Sequence, residues 1–98
     1  MYELEYTNSF KKNYKRILKR GYSIELLTEL FEQLIVYGNV NTIYKPHKLY
    51  GKYSGYLECH IQSDWLLIWE VNEQKKCVTL HYTIIQVRTV IYFKLCIC

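Results

Sequence analysis

The sequence contains no apolar run long enough to cross a membrane. Charged residues interrupt the apolar stretches well short of the roughly 20 residues that a membrane helix needs. The N-terminus, M-Y-E-L-E-Y-T-N-S-F-K-K, also lacks the ordered regions of a signal peptide. We therefore expect a cytoplasmic protein without a membrane partner.

Paired C-x-x-C spacing is absent too, and nothing in the chain indicates export into an oxidising compartment. We therefore predict neither a disulfide nor a zinc site. Three of the four cysteines lie after residue 76, an asymmetry that draws attention to the C-terminal segment. The four are Cys59, Cys77, Cys96 and Cys98.

The chain has 98 residues, half of them apolar, which is enough for one compact core but not for two. Its formal charge is +4, and six cations lie within ten residues. A patch of this density suits a polyanion, most commonly RNA or DNA, although a solvated helix face carries the same pattern. The six are Lys11, Lys12, Lys15, Arg16, Lys19 and Arg20.

The first forty residues predict a strand followed by two helices. Residues 2–6 alternate like a half-buried strand, and residues 7–9 supply candidate N-caps. Apolar residues then recur at helical spacing up to Gly21. Ser23 is a candidate cap for a second helix, which ends at Gly38. The apolar stripes are Phe10, Tyr14, Ile17 and Leu18, then Leu27, Leu30, Phe31, Leu34 and Ile35.

The rest of the chain predicts hairpin strands. Residues 39–56 read as a long connection, residues 57–62 and 65–71 as a β-hairpin, and residues 77–82 as the beginning of a further strand. This order indicates an α+β fold, in which a two-helix hairpin packs on one face of a mostly antiparallel sheet.

Four groups that can move or orient protons lie close together in sequence: His47, Glu58, His60 and Asp64. Glu58 and His60 are two apart on a strand and therefore share a sheet face, near which the turn residue Asp64 can lie. RNA cleavage by the neighbouring 2′-hydroxyl needs a base, an acid and positive charge, and histidine suits the first two roles. The loop cations suited to the third are Lys45, Lys48 and Lys52.

The same residues also have ordinary structural roles. A single histidine is usually a surface or hydrogen-bonded residue, a strand glutamate commonly faces solvent, and aspartate is a frequent turn former. His47, His60 and Asp64 show no recognisable metal-ligand spacing, so we predict no metal site there. The sequence pattern is therefore compatible with either a catalytic or a purely structural role for these residues.

Two motifs resemble the RelE/YafQ-type toxins, in the order found there. Residues 44–51 read Y-K-P-H-K-L-Y-G, similar to Y-K-D-H-P-L-x-G, and residues 56–65 read Y-L-E-C-H-I-Q-S-D-W, similar to Y-R-E-C-H-I-x-P-D-W. The opening strand, the S-F-K-K-x-Y-K helix start and the L-L-I strand extend the resemblance to the YafQ branch over residues 1 to about 72.

This resemblance implies a RelE-like fold and a toxin of a type II toxin–antitoxin system that cuts messenger RNA in the ribosomal decoding site. It implies no metal or other cofactor. The implied partners are an antitoxin of the DinJ/RelB kind and the ribosome, with its mRNA and its rRNA, the latter contacted by the basic first helix. His47, His60 and Asp64 match catalytic positions of the family, and Glu58 matches an acidic position beside them. Which histidine is acid and which is base stays open.

Four positions depart from the family pattern. Pro46 replaces an aspartate, Lys48 and Ser63 replace prolines, and Leu57 replaces an arginine. Loss of the arginine is expected to weaken phosphate contact or strand pairing.

The C-terminus, V-R-T-V-I-Y-F-K-L-C-I-C, differs from the family ending, which is similar to T-G-T-H-S-D-L-F. The genetic code permits codons for residues 85–94 that, when read in another frame, encode T-G-T-H-S-D-L-F followed by a stop. We therefore predict a frameshift in the gene before about Leu80, near the codons for Lys75-Lys76. Residues 1–83 would then be the toxin-like domain and residues 84–98 an aberrant tail. His81 would be accidental.

Two functions therefore stay open: an impaired endoribonuclease, or an inactive protein that binds antitoxin or ribosome without cutting RNA. A third, the related ParE class that acts on DNA gyrase, is disfavoured because that class lacks the set His47, His60 and Asp64.

Overall fold

The computed structural model describes residues 1–85. The aberrant tail predicted for residues 84–98 lies outside the described residues except for its first two. The described helices and strands are, in chain order, β1 (Glu3–Tyr6), α1 (Asn8–Lys19), α2 (Ile24–Tyr37), β2 (His47–Lys48), β3 (Leu57–Gln62), β4 (Trp65–Asn72) and β5 (Cys77–Ile85). No helix within residues 1–85 is long and apolar enough to span a membrane.

Helix α1 begins at a threonine cap that also joins the helix to the sheet. The Thr7 hydroxyl accepts a hydrogen bond from the Phe10 N–H at 3.0 Å and donates one to the His81 carbonyl at 3.0 Å. One of the orphan N–H groups of the first turn is thereby satisfied. Of the three candidate caps, the structure uses Thr7.

Helix α2 begins after Ser23 and ends at Gly38, as predicted, but the expected side-chain cap at Ser23 is wrong. The Ser23 hydroxyl points to the Glu25 carboxylate at 3.4 Å and makes no capping bond to the backbone. Gly38 has a left-handed φ of 70°, and a Cβ there would collide with the Tyr2 ring. Only glycine fits this helix end.

The sheet has the strand order β1-β5-β4-β3-β2. The β2–β3, β3–β4 and β4–β5 pairs are antiparallel, whereas β1 pairs with β5 in parallel. The predicted connection over residues 39–56 contains strand β2 and two short 3-10 helices, Thr42–Tyr44 and Gly51–Tyr53. Strand β2 escaped prediction because two residues are too few to show a periodic pattern.

The two faces of the sheet are covered differently. Both helices pack on one face and form the main core with the inward side chains of β3, β4 and β5. A smaller cluster lies on the other face, which we call the open face, around Leu49 and Ile68. The predicted α+β fold, with a two-helix hairpin on one face of a mostly antiparallel sheet, is confirmed.

A bulge in β5 changes which residues the open face displays. Ile68 pairs with Tyr82 and Trp69 with Leu80, which leaves His81 as the additional residue. Because a bulge interrupts the alternation of side chains, His81 and Tyr82 both lie on the open face.

Candidate active site

Two predicted site residues come together through strand pairing. His47 on β2 lies directly opposite Glu58 on β3. Their side chains meet on the open face, with His47 Nε2 3.0 Å from Glu58 Oε1. The Glu58 side chain is 0% exposed and that of His47 is 35% exposed, so the carboxylate lies beneath a histidine that solvent reaches.

Both ring nitrogens of His47 lie at hydrogen-bond distance from an oxygen atom. Nδ1 lies 3.2 Å from the Lys45 carbonyl oxygen, and Nε2 lies 3.0 Å from Glu58 Oε1. The imidazole ring is therefore oriented by contacts on both sides.

His60 lies on the same face of β3 as Glu58, as the two-residue spacing predicted. Tyr56, Glu58 and His60 project in a row with steps of about 7 Å along the strand. His60 is half-buried, opposite Leu66 of β4. A phosphate seated on the row between the two histidines is therefore within reach of both.

Asp64 is bound by a tyrosine from the connection between the helices. Its Oδ2 accepts a hydrogen bond at 3.1 Å from the hydroxyl of Tyr22, in the connection between the helices. The Tyr22 ring contacts Trp65 edge-on in the helix-side core, at 5.2 Å between centroids. Burial raises the pKa of the Tyr22 hydroxyl, and the hydrogen bond and charge of Asp64 raise it further. The carboxylate of Asp64 thus ties the β3–β4 turn to the helices.

The predicted RNA-binding cations fall into two groups on different layers. Lys45, Lys48 and Lys52 are exposed in the segment that carries His47. The cations of α1 are exposed on a helix that packs beside β5, where Arg16 and Arg20 line a pocket with Thr83, Ile84 and Ile85. The helix group is Lys11, Lys12, Lys15, Arg16, Lys19 and Arg20.

Cys59 lies between the two site residues of β3 but points into the core. Its side chain is buried on the helix side, and burial, followed by the charge of Glu58, raises the pKa of the thiol to about 12. A thiol with this pKa stays protonated at neutral pH and is a poor nucleophile. Cys59 is part of the core.

A sequence model of one protein family, described as "Bacterial toxin of type II toxin-antitoxin system, YafQ", matches residues 2–89. The chain belongs to the YafQ family of bacterial toxins. It is 31% identical over 75 residues to the mRNA interferase toxin YafQ of Escherichia coli K12, covering 74% of this chain and 79% of that protein.

Solved structures agree with this membership. E. coli BL21(DE3) YafQ has a TM-score of 0.78 and 29% identity, covering 88% of this chain and 94% of that one. YafQ in the E. coli DinJ–YafQ complex has a TM-score of 0.76 and 28% identity, with 87% and 93% covered. A metal-bound toxin of Helicobacter pylori has a TM-score of 0.77 and 28% identity, with 85% and 92% covered.

The metal in the H. pylori relative has no evident counterpart in the described part of this YafQ-family chain. Within residues 1–85, no three side chains of histidine, cysteine, aspartate or glutamate are arranged to hold a metal ion.

Sequence reasoning missed the residues that support the site from other elements. Tyr22 binds Asp64 from 42 positions away, and Glu70 of β4 binds His81 of β5 at 3.0 Å. Neither contact has a local sequence signal, because each depends on packing and strand register. A cross-strand pairing of β4 with β5 could have suggested the second, but the bulge shifts that register.

Proposed function

We propose that this protein is a cytoplasmic endoribonuclease that cuts messenger RNA in the decoding site of the ribosome. Its membership of the YafQ family and its similarity to a protein named an mRNA interferase support this proposal. The observation that carries it is the buried Glu58 carboxylate, 3.0 Å from the accessible ring of His47, with His60 on the same face.

The proposed reaction is attack of the 2′-hydroxyl on the neighbouring phosphorus. His60 takes the 2′-proton, the new bond joins the 2′-oxygen to phosphorus, and the bond to the 5′-oxygen breaks. His47 gives its Nδ1 proton to that leaving oxygen, which replaces the exposed contact with the Lys45 carbonyl, while Glu58 holds Nε2 and stabilises the imidazolium. Lys52 offsets charge on the phosphate.

This proposal uses side chains alone and requires no metal ion. We assign His47 as the acid because its two ring nitrogens lie beside oxygen acceptors, the Lys45 carbonyl and the Glu58 carboxylate. His60 is left as the base. Asp64 acts at a distance in this scheme, because its carboxylate is bound to Tyr22 and fixes the turn that follows β3.

The proposed partners are an antitoxin and the ribosome. An E. coli relative is seen in complex with DinJ, and we propose a similar small antitoxin for this chain. The exposed cations of α1 suit ribosomal RNA, because they form a dense positive surface that can contact several phosphates.

A second candidate is a protein that binds antitoxin or ribosome without cutting RNA. The absence of the T-G-T-H-S-D-L-F ending favours it, since one missing proton-transfer group can cost about 10²- to 10⁴-fold in rate. The assay below therefore includes a form in which the residues after Ile85 are replaced by T-G-T-H-S-D-L-F.

The test is cleavage of a defined mRNA on programmed ribosomes, with cut positions mapped by primer extension. We expect the form with the family ending to cut within the decoding site. His47→Gln and His60→Gln in that form should each slow cutting by about 100-fold or more. Tyr37→Leu, on the exposed side of α2, is the matched control and should cut normally. Normal cutting by both histidine variants would refute the assigned site.

A further inference from the structure

Four aromatic rings form a continuous row on the open face. Tyr53 lies 6.1 Å from Tyr56, Tyr56 stacks on His81 at 4.3 Å and 10°, and His81 lies 6.3 Å from Tyr82, all between ring centroids. Lys52 Nζ lies 5.8 Å from the Tyr53 centroid. We call these four residues the ring row.

The ring row is fixed by specific contacts. The bulge places His81 and Tyr82 on the same face, and His81 Nε2 lies 3.0 Å from Glu70 Oε1, which holds the imidazole against Tyr56. At the other end, Tyr53 and Tyr56 belong to one turn, in which the Tyr56 N–H donates to the Tyr53 carbonyl at 3.1 Å. The rings are therefore held in place before any ligand binds.

The ring row lies next to the proposed site. Tyr56 precedes Glu58 by two residues on the same face, a step of about 7 Å. The Leu49 N–H donates to the Tyr56 carbonyl at 2.9 Å, which continues the β2–β3 pairing that brings His47 to Glu58. A nucleotide adjoining a phosphate at His47 therefore has its base over Tyr53 and Tyr56.

We propose that the ring row is a stacking platform for single-stranded RNA, on which Tyr53 and Tyr56 hold the base next to the scissile phosphate. The inference rests on the proposed function and assigns to Tyr53 and Tyr56 the role of binding a base of the RNA substrate. Aromatic rings stack on any base, and a nearby lysine neutralises the backbone, as Lys52 is placed to do. The RNA contacts are assigned to Tyr53 and Tyr56, which lie before the predicted frameshift; His81 lies after it and has no assigned role.

The competing explanation is a purely structural one. The tyrosines also pack around Leu49 and Ile68, and such small clusters commonly exist for stability alone. The two explanations differ at Tyr53, which is half-buried at the end of the row beside an exposed lysine. If Tyr53 has only a structural role, its substitution lowers the free energy of unfolding. If Tyr53 stacks on a base, its substitution lowers the affinity for RNA.

The experiment measures binding of a labelled, uncleavable RNA of about six nucleotides, with 2′-O-methyl riboses, by fluorescence anisotropy. We expect Tyr53→Leu to weaken binding by about 5- to 100-fold and Tyr53→Phe to restore it. Tyr37→Leu, a 73%-exposed tyrosine on α2, is the matched control and should bind as the wild type does. Thermal unfolding of each variant reports its stability.

Wild-type affinity in Tyr53→Leu, or no RNA binding by the wild-type protein, would overturn the platform. Cleavage of mRNA on ribosomes is measured separately, and it tests the proposed function independently of the RNA-binding result. A second measurement needs no variant: photocrosslinking of RNA that contains 5-iodouridine should attach to Tyr53 or Tyr56 of the wild-type protein. Attachment confined to the α1 lysines would also overturn the proposal.

Discussion

At the scale of single residues, the centre of the site is a carboxylate that water does not reach. Burying a charge is costly unless a partner compensates for it, and His47 lies at hydrogen-bond distance from Glu58. The sequence predicted that Glu58 and His60 share a face, because that follows from strand alternation alone. It could not predict the contact with His47, which depends on β2.

The first prediction concerns this carboxylate. Glu58→Gln keeps the shape of the side chain but removes the charge that stabilises the imidazolium of His47. In the form with the family ending, we expect mRNA cleavage on ribosomes to slow by about 10- to 100-fold. Glu32→Gln, which removes an exposed carboxylate on α2, is the matched control for charge and should cut at a rate close to wild type. Equal slowing of both would contradict a specific role for Glu58.

The second prediction concerns pH and Cys59. The pKa of this thiol is raised to about 12 in the folded protein from an ordinary value of 9.0. Its contribution to stability is therefore complete below about pH 9 and is lost as pH rises toward 12, because the unfolded thiol ionises first. The free energy of unfolding should fall by up to about 1.4 kcal/mol per pH unit in this window through Cys59 alone.

Urea denaturation at about pH 8 and about pH 10 measures this effect. The pKa values of Tyr22, Tyr44 and Tyr56 are also raised by burial and act in the same direction. Cys59→Ala removes the thiol and keeps those tyrosines, so its comparison with the wild type gives the contribution of the thiol alone. The variant should lose less stability between the two pH values than the wild type. An identical loss in both would contradict the assignment to Cys59.

At the scale of elements, long periodic segments were predictable and short ones were not. Both helices and the β3–β4 hairpin follow from apolar spacing and turn residues, and their ends agree within a few residues. The two-residue strand β2 and the bulge at His81 left no pattern to detect. Both determine which side chains the open face presents, so the neighbourhood of the site depended on the least predictable elements.

The third prediction concerns helix α1. Lys12→Gln with Lys19→Gln removes two exposed cations from the helix surface and leaves its buried side, Phe10 and Ile17, unchanged. We expect weaker binding to ribosomes and a slope of log affinity against log salt that is smaller by about 0.7 to 0.9 per lost phosphate contact. Lys75→Gln, on the β4–β5 turn, is the matched control. Unchanged binding of the double variant would refute an RNA-binding role for α1.

At the scale of the whole molecule, the α1 cations and the proposed site lie on different elements. Helix α1 carries the cations, and the open face carries His47, Glu58, His60 and the ring row. Under the proposed function, α1 binds ribosomal RNA while the open face acts on messenger RNA.

The fourth prediction concerns the C-terminus, where the frameshift inferred from the sequence stays a prediction. Replacing the residues after Ile85 with T-G-T-H-S-D-L-F should make the protein inhibit bacterial growth when it is expressed without antitoxin. His60→Ala in that form should abolish the inhibition. Growth inhibition that survives His60→Ala would count against the site, and an inert replacement form would count against the frameshift.

The chemistry of the cut ends tests the central claim most directly, since the account assigns cleavage to His47, Glu58 and His60 acting as acid and base. RNA cut on ribosomes by the form with the family ending should carry 2′,3′-cyclic or 3′-phosphate and 5′-hydroxyl ends. Products with 5′-phosphate and 3′-hydroxyl ends would contradict it.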